Sequence, residues 1–254
     1  VTLRKTAKTP GTTAATVGSG PVEPPQRLQP LVAIGALRRL VADPQRTEEV
    51  FVVVRALAGD SIDRGLRRFR QLPLGRRVLK RQEVLLDELL DRKRLADCPG
   101  NSLASAYLRF TAEGDLSADG LVDASEQEGG ERFASAEHQL YGERLRDQHD
   151  LWHTLTGYGR DELGEVCLLA FTYAQTKNRG LGVICLVGML KLFEHYGRGV
   201  FSAAWAAYRD GRRAEWLPGQ DWSELLGMPL ASVRDQLRVT EPGSYSIPAA
   251  FSAL

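Results

Sequence analysis

The sequence predicts an all-α protein: a single-domain helical bundle behind a disordered N-terminal tail. Three observations predict it. Apolar residues recur at helical spacing from Leu28 to Arg238, with no βαβ alternation and no internal repeat. At 254 residues the chain is long enough for one domain with a sizeable core. Residues 1–29 are dominated by Thr, Ala, Gly and Pro and have no long apolar face, so they cannot bury enough surface to offset the entropy of ordering. The expected organisation is a tail over 1–29, a helical domain over 30–240 and an irregular tail over 241–254.

Leu28 to Val41 carries apolar residues at helical spacing and ends near Asp43-Pro44. Thr47 to Ala58 follows, with Thr47 as N-cap and Glu48-Glu49 in the first turn, where negative charge suits the helix dipole. The apolar run Val50 to Val54 is compatible with a strand, but its neighbours argue helix. Ser61 to Gln71 and Arg76 to Lys93 read as Arg-rich amphipathic helices, Ser102 to Thr111 and Ser117 to Ser125 as shorter ones, and Glu126 to Glu131 as a loop. Phe133 to Leu155 predicts one long helix. Leu163 to Thr176, Gly182 to Tyr196, Val200 to Gly211 and Ser232 to Arg238 complete the bundle.

Lys and Arg total 33 against 32 for Asp and Glu, so no global field draws the chain to nucleic acid. Cys98, Cys167 and Cys185 lack metal-like spacing; Cys167 and Cys185 read as small core residues in a reduced compartment. Arg4, Lys5 and Lys8 among hydroxylated residues have the flavour of an organellar transit peptide. Pro10-Gly11 interrupts any amphipathic helix there, and a solvated bacterial tail is the expected reading. The preference for Arg over Lys fits a high-GC bacterial genome.

The chemistry gathers at the end of the long helix. His149, Asp150 and His153 are followed, after eleven intervening residues, by Glu165, in a chain with only 4 histidines. On a helix His149 and His153 are i and i+4 and share a face, about 5–6 Å apart at Cβ. That is the spacing by which HExxH helices hold zinc, with Asp150 where those carry Glu. Gly157 and Gly159 stop the helix and Arg160-Asp161-Glu162 restart the next, so that Glu165 faces back at the pair. Two imidazoles and one carboxylate leave coordination positions open. Such a pair also arises by chance in helical proteins. Here Leu151, Trp152, Leu155, Leu163, Val166, Leu168 and Leu169 make the surroundings apolar, where ionisable groups are costly unless paired or metal-bound. Tyr158 and Arg160 flank the cluster and are candidates to bind a carboxylate or phenolate, Arg through paired hydrogen bonds.

These residues closely resemble the signature of the coenzyme Q biosynthesis protein four family. The stretch DQHDLWHTLTGYGRDELGE, Asp147 to Glu165, matches that signature's H-D-x-x-H, eleven residues and E at all four positions. Ala36 to Arg46 and Gly75 to Leu79 are similar to the family's N-terminal helices. Pro99 to Tyr107 is similar to its "GTLG…Y" segment, with Asn101, Ser102 and Ala104 departing from it. Asp221-Trp222 and Pro229 to Leu237 are similar to its closing helix. The resemblance covers residues 27 to 240. It implies an all-helical protein of ubiquinone biosynthesis at the inner face of an energy-transducing membrane, the bacterial inner membrane or the matrix side of the mitochondrial one. It implies a divalent metal held by His149, Asp150, His153 and Glu165. It further implies replacement of the C1 carboxylate of a prenylated hydroxybenzoate by hydroxyl, and a place in a multi-enzyme assembly, with self-association expected.

Two further stretches take meaning from that resemblance. Gly182 to Leu190 is apolar almost all round and too short to span a bilayer. It reads as a core helix, or as one wall of a cleft for a polyprenyl tail, lined by Gly182, Leu186 and Met189 with Gly182 and Gly188 leaving room. Phe201, Trp205 and Tyr208, followed by Arg209, Arg212 and Arg213, form either a packed helix with a solvated basic end or a membrane-surface element. Three functions compete. The first is a metal-dependent decarboxylase with Asp150 and Arg160 as the catalytic candidates, its metal zinc in preference to iron. The second is a non-catalytic scaffold that binds the prenyl lipid and docks other ubiquinone enzymes. The third is a zinc hydrolase with Asp150 as general base, though Asp is shorter than the usual Glu.

Overall fold

The computed structural model describes residues 28–43, 46, 48–113 and 135–241. Among them every regular element is helical, and the isolated bridge of Ser102 with Pro229 is the sole β-type pairing. In chain order the helices are α1 (Pro30–Ala42), α2 (Glu48–Ala56), α3 (Ser61–Gln71), α4 (Pro73–Arg81), α5 (Leu85–Leu90), α6 (Arg92–Ala96) and α7 (Leu103–Glu113). After residue 135 come α8 (Ala136–Asp147), α9 (His149–Thr156), α10 (Glu162–Thr176), α11 (Arg179–Tyr196) and α12 (Gly199–Arg213). A 3-10 turn (Leu217–Gly219), α13 (Trp222–Leu225) and α14 (Leu230–Leu237) close the bundle. The expectations for 117–125, for 126–131, for the helix start at Phe133 and for most of both tails fall outside the described residues.

Two expected helices are broken, for local reasons. Arg76 to Lys93 is not continuous: Gln82 turns left-handed (φ 55°) and ends α4, Val84 is extended, and Asp91 caps α6 by accepting from the Arg94 amide at 3.0 Å. Phe133 to Leu155 breaks at Gln148, which separates α8 from α9. The Gln148 side chain donates to the Arg144 carbonyl at 2.9 Å, competing with the backbone for the same acceptor. The run Val50 to Val54 is helical, as its neighbours argue.

The largest core cluster joins α7 and α9 to α14 around Tyr107, Leu151, Trp152, Leu155, Phe171 and Trp222. A second holds α3, α4 and α8 through Phe69 and Tyr141, and a third seats α1 and α2 on α11 through Ala36, Val53 and Ile184. α10 and α12 pack so closely that a Cβ on Gly211 would stand 2.7 Å from the Phe171 carbonyl oxygen. The loop before α7 and the turn before α14 are stitched together. The Leu103 and Ala104 amides, orphaned at the helix start, donate to Met228 and Leu226 carbonyls, each at 2.9 Å. Cys167 and Cys185 are buried in the main cluster, and burial pushes their thiols up to about 12 and about 11, so both are inert core residues.

Candidate metal centre

α9 is short but anchored along nearly all of its length. From Asp150 to Thr156 every residue is buried, and burying Leu151, Trp152 and Leu155 contributes about 1.5–3 kcal/mol each. Thr154 and Thr156 return hydroxyl hydrogen bonds to the Asp150 and Trp152 carbonyls at 2.8 and 2.7 Å. Gly157, left-handed at φ 76°, ends the helix, and its amide donates to the His153 carbonyl at 2.8 Å. Arg234 of α14 donates from Nε to the Leu155 carbonyl at 2.8 Å, filling an acceptor that a helix end leaves open. The chain then turns through Gly159, and Asp161 caps α10 by accepting from the Gly164 amide at 3.0 Å. A Cβ on Gly164 would overlap the Gly159 carbonyl, so the turn closes only because residue 164 is glycine.

This turn brings Glu165 of α10 against α9. Its Oε1 lies 3.3 Å from His153 Nε2 and its Oε2 lies 3.9 Å from His149 Nε2. The ligand atoms of His149, His153 and Glu165 all lie within 4.8 Å of one another. The other ring nitrogens are already committed. His153 Nδ1 faces the Tyr158 carbonyl at 2.9 Å, an oxygen that only accepts, so the proton sits on Nδ1. His149 Nδ1 likewise donates to Asp150 Oδ1 at 3.1 Å. With Nδ1 committed on both rings, each Nε2 faces the Glu165 carboxylate, lone pair against lone pair unless a proton or a cation lies between. Among the described residues His153 Nε2 is buried without a hydrogen-bond partner. Only a proton or a cation relieves that arrangement. The spacing suits a cation, since ligand atoms about 2.0–2.2 Å from a zinc ion are about 3.4 Å apart in a tetrahedron.

The electrostatics follow the geometry. Desolvation works against the charge of His149, but its hydrogen bond to Asp150 and the nearby Glu165 outweigh this and raise its pKa. Desolvation likewise opposes ionisation of Glu165 and Asp150, yet the imidazoles beside them hold both carboxyls below their ordinary values. Asp150 is paired with His149 and is not among the three residues whose potential ligand atoms converge. Tyr158 serves the site through its backbone carbonyl; its ring is part of the main core.

Two contributors were not visible in the sequence. Phe110 of α7 stacks on His153 with ring centroids 5.2 Å apart, and the Arg160 guanidinium carbon lies 4.0 Å from the same ring centre. Arg234 arrives from 79 residues beyond Leu155. Neither has a local signal, because each acts through tertiary packing alone.

Gly182, Leu186 and Met189 share one stripe of α11 but do not join this centre. The space beside Gly182 is taken by the Tyr173 ring and that beside Gly188 by Val166, so neither glycine leaves the room expected of it. Met189 packs against the main core and Leu186 is exposed. With Leu190 and Phe193, and with Phe201 and Trp205 of α12, Leu186 forms an exposed apolar face on the α11–α12 hairpin. Phe193 and Phe201 meet at 5.7 Å, and Trp205, 62% exposed, stacks on Tyr208 at 5.5 Å. The aromatic stripe is therefore not a simple packed face.

An all-α bundle that offers two imidazoles and a carboxylate across a helix–turn–helix defines the class of a helical protein with a candidate 2-His-1-carboxylate site. The particular family is shown by comparison: the sequence model of coenzyme Q (ubiquinone) biosynthesis protein Coq4 matches residues 19–243, and the chain belongs to that family. The chain is 31% identical over 173 residues to a mitochondrial ubiquinone biosynthesis protein COQ4 from Podospora anserina, a match spanning 67% of this chain and 54% of that protein. It is 27% identical over 228 residues to the rat COQ4 homolog, also named mitochondrial, across 89% of this chain and 82% of that one. The crystal structure of a Nostoc punctiforme protein named for ubiquinone biosynthesis shares the fold, with a TM-score of 0.59, 19% identity, and coverage of 84% of this chain and 98% of that one. The expectation of a bacterial source is not borne out, since these curated relatives are eukaryotic. Among the described residues no helix is long and apolar enough to cross a membrane.

Proposed function

We propose that this ubiquinone biosynthesis protein catalyses a metal-dependent decarboxylation at C1 of a prenylated hydroxybenzoate, with hydroxyl installed at the same carbon, at a membrane surface. The observation that carries this reading is the convergence of His149 Nε2, His153 Nε2 and the Glu165 carboxylate, with both Nδ1 protons fixed by the Tyr158 carbonyl and Asp150. His149, His153 and Glu165 would hold the ion, with Asp150 orienting His149. The donor set suits zinc, the favoured ion, and also ferrous iron; magnesium takes two imidazoles poorly. When bound, a divalent ion supplies Lewis-acid stabilisation for charge that builds on the ring. Loss of carbon dioxide leaves its bonding pair on the ring, and replacing it by hydroxyl consumes a two-electron oxidant such as dioxygen. Asp150 keeps His149 in the tautomer that offers Nε2, and Arg160 provides a fixed positive charge for the substrate's oxyanion.

Residues 30–240 act as one domain in this reading. The prenyl tail lies along the open apolar face of α11, at Leu186 and Leu190. The hairpin face around Trp205 rests on the inner face of the membrane, on the matrix side in a mitochondrion. Other ubiquinone enzymes and a second copy of the chain are its protein partners. The size of that exposed apolar face also favours a second reading, a scaffold that presents the prenyl lipid to partner enzymes without turnover.

Metal analysis of anaerobically purified protein, beside Glu165→Ala and His149→Ala, tests the proposal together with an assay of carboxylate loss from a short-chain prenyl-hydroxybenzoate. Stoichiometric metal and turnover, lost together in both variants, is the expected result. Metal-dependent lipid binding without product supports the scaffold. A metal-free wild type with unchanged variants overturns both.

A further inference from the structure

Arg160 carries a positive charge that helps hold the Asp150 carboxyl down, yet its terminal N–H donors are left over. Among the described residues, neither of its buried terminal nitrogens meets a hydrogen-bond acceptor. A guanidinium has five donors, and stripping their water without supplying acceptors is costly. The carboxylates close by in sequence are all engaged. Asp150 accepts from His149 Nδ1, Asp161 caps the Gly164 amide, Glu165 faces both imidazoles, and Glu162 pairs with Lys191 at 3.2 Å. What Arg160 does have is Phe110, whose ring centre lies 4.0 Å from the guanidinium carbon. Cation–π contact holds the plane of the guanidinium without consuming its hydrogen-bond donors. The same Phe110 ring stacks on His153, at 5.2 Å and 23° between planes. One aromatic side chain from α7 therefore sets the register between a cation with spare donors on the α9–α10 turn and a residue of the candidate metal centre.

We propose that Arg160 and Phe110 form an oxyanion clamp for an aromatic substrate. Arg160 takes a carboxylate or phenolate oxygen through its free donors, and Phe110 fixes the guanidinium relative to His153. The proposal rests on the reading that the metal centre is the substrate site, but the clamp itself needs no metal. Phe110 is a positioning residue. Its loss frees the guanidinium to rotate and loosens His153, whereas loss of Arg160 removes the anion partner outright.

Titration calorimetry on the full chain tests it with three probes: 4-hydroxybenzoate, benzoate and 4-hydroxybenzamide. The first carries both oxyanion sources, the second only the carboxylate and the third only the phenol. Wild type, Arg160→Gln, Arg160→Lys, Phe110→Leu and Glu165→Gln are compared, with melting and zinc content recorded for each. Binding of 4-hydroxybenzoate is expected to weaken about tenfold to a hundredfold in Arg160→Gln, less in Arg160→Lys, and about threefold to tenfold in Phe110→Leu. Arg160-dependent binding of benzoate assigns the clamp to the carboxylate; the same dependence for 4-hydroxybenzamide alone assigns it to the phenolate. Binding that survives in metal-free Glu165→Gln supports the clamp even where the metal reading fails. Equal affinity of wild type and Arg160→Gln for every probe, or no binding of any probe to wild type, overturns it. If Arg160→Gln does not fold, Arg160→Lys and the wild-type contrast of 4-hydroxybenzoate with 4-hydroxybenzamide decide.

Discussion

Two imidazoles that have each committed Nδ1 to an oxygen meet a carboxylate only through whatever occupies Nε2. The pKa directions of His149 and of the two carboxyls record that contact. His149 titrates above its ordinary 6.5, and Glu165 and Asp150 titrate below their ordinary 4.5 and 3.8. The raised histidine contributes stability that is full below about pH 6.5 and lost as pH rises through its folded value. The depressed carboxyls contribute stability present above their ordinary values and lost as pH falls through the folded ones. Zinc reverses the alkaline limb, because coordination needs the neutral ring and competes with the proton. The denaturation midpoint of zinc-loaded protein should therefore gain on the metal-free protein between about pH 6 and pH 8; a difference that stays flat would mean the cluster is a plain ion-pair network. Asp150→Asn keeps an acceptor oxygen but removes the carboxylate charge that makes His149 basic, and zinc affinity measured against a competing chelator is expected to fall about tenfold to a hundredfold.

At the scale of the element, the centre depends on a turn that closes within a few residues. Gly164→Ala would drive a methyl into the Gly159 carbonyl, and backbone has nowhere to go. The expected cost is about 1–3 kcal/mol by denaturant unfolding, with zinc affinity falling as Glu165 is pushed from the histidines. A variant of unchanged stability and affinity would show that the turn has slack. The turn was legible in the sequence: Gly157, Gly159 and the Asp161 restart are local signals, and the structure has each where it was expected. The break at Gln148 was not, because nothing in DQHD marks a stop; a side chain competing for the Arg144 carbonyl is visible only in three dimensions. Phe110 was hidden for the same reason. Its partners lie 43 and 50 positions away, and periodicity reports which face is apolar, not which ring it meets.

Across the whole molecule, the all-α class follows from helical periodicity sustained along the chain, and the order of helices was largely readable from it. How they pack was not. The apolar stretch of α11 is buried on one side at Ile184, Cys185 and Leu192 and open on the other, where Leu190 is 59% exposed, a division that composition does not reveal. With a net charge of only +1, attraction to a bilayer has to come from that local face and its neighbouring Lys191, Arg198 and Arg209. Leu190→Ser with Trp205→Glu should lower binding to anionic vesicles about tenfold in a flotation assay while zinc content is unchanged. Undiminished binding would move the membrane contact elsewhere. The helix–turn–helix that carries the centre has one more consequence. His149 and Glu165 are 16 positions apart, so little chain entropy is lost in bringing them together. A contact of such low order forms early while distant helices are still searching. An ion captured there would serve the nascent chain as a template, fixing the angle between α9 and α10 before Phe110 and Arg234 arrive to seal it.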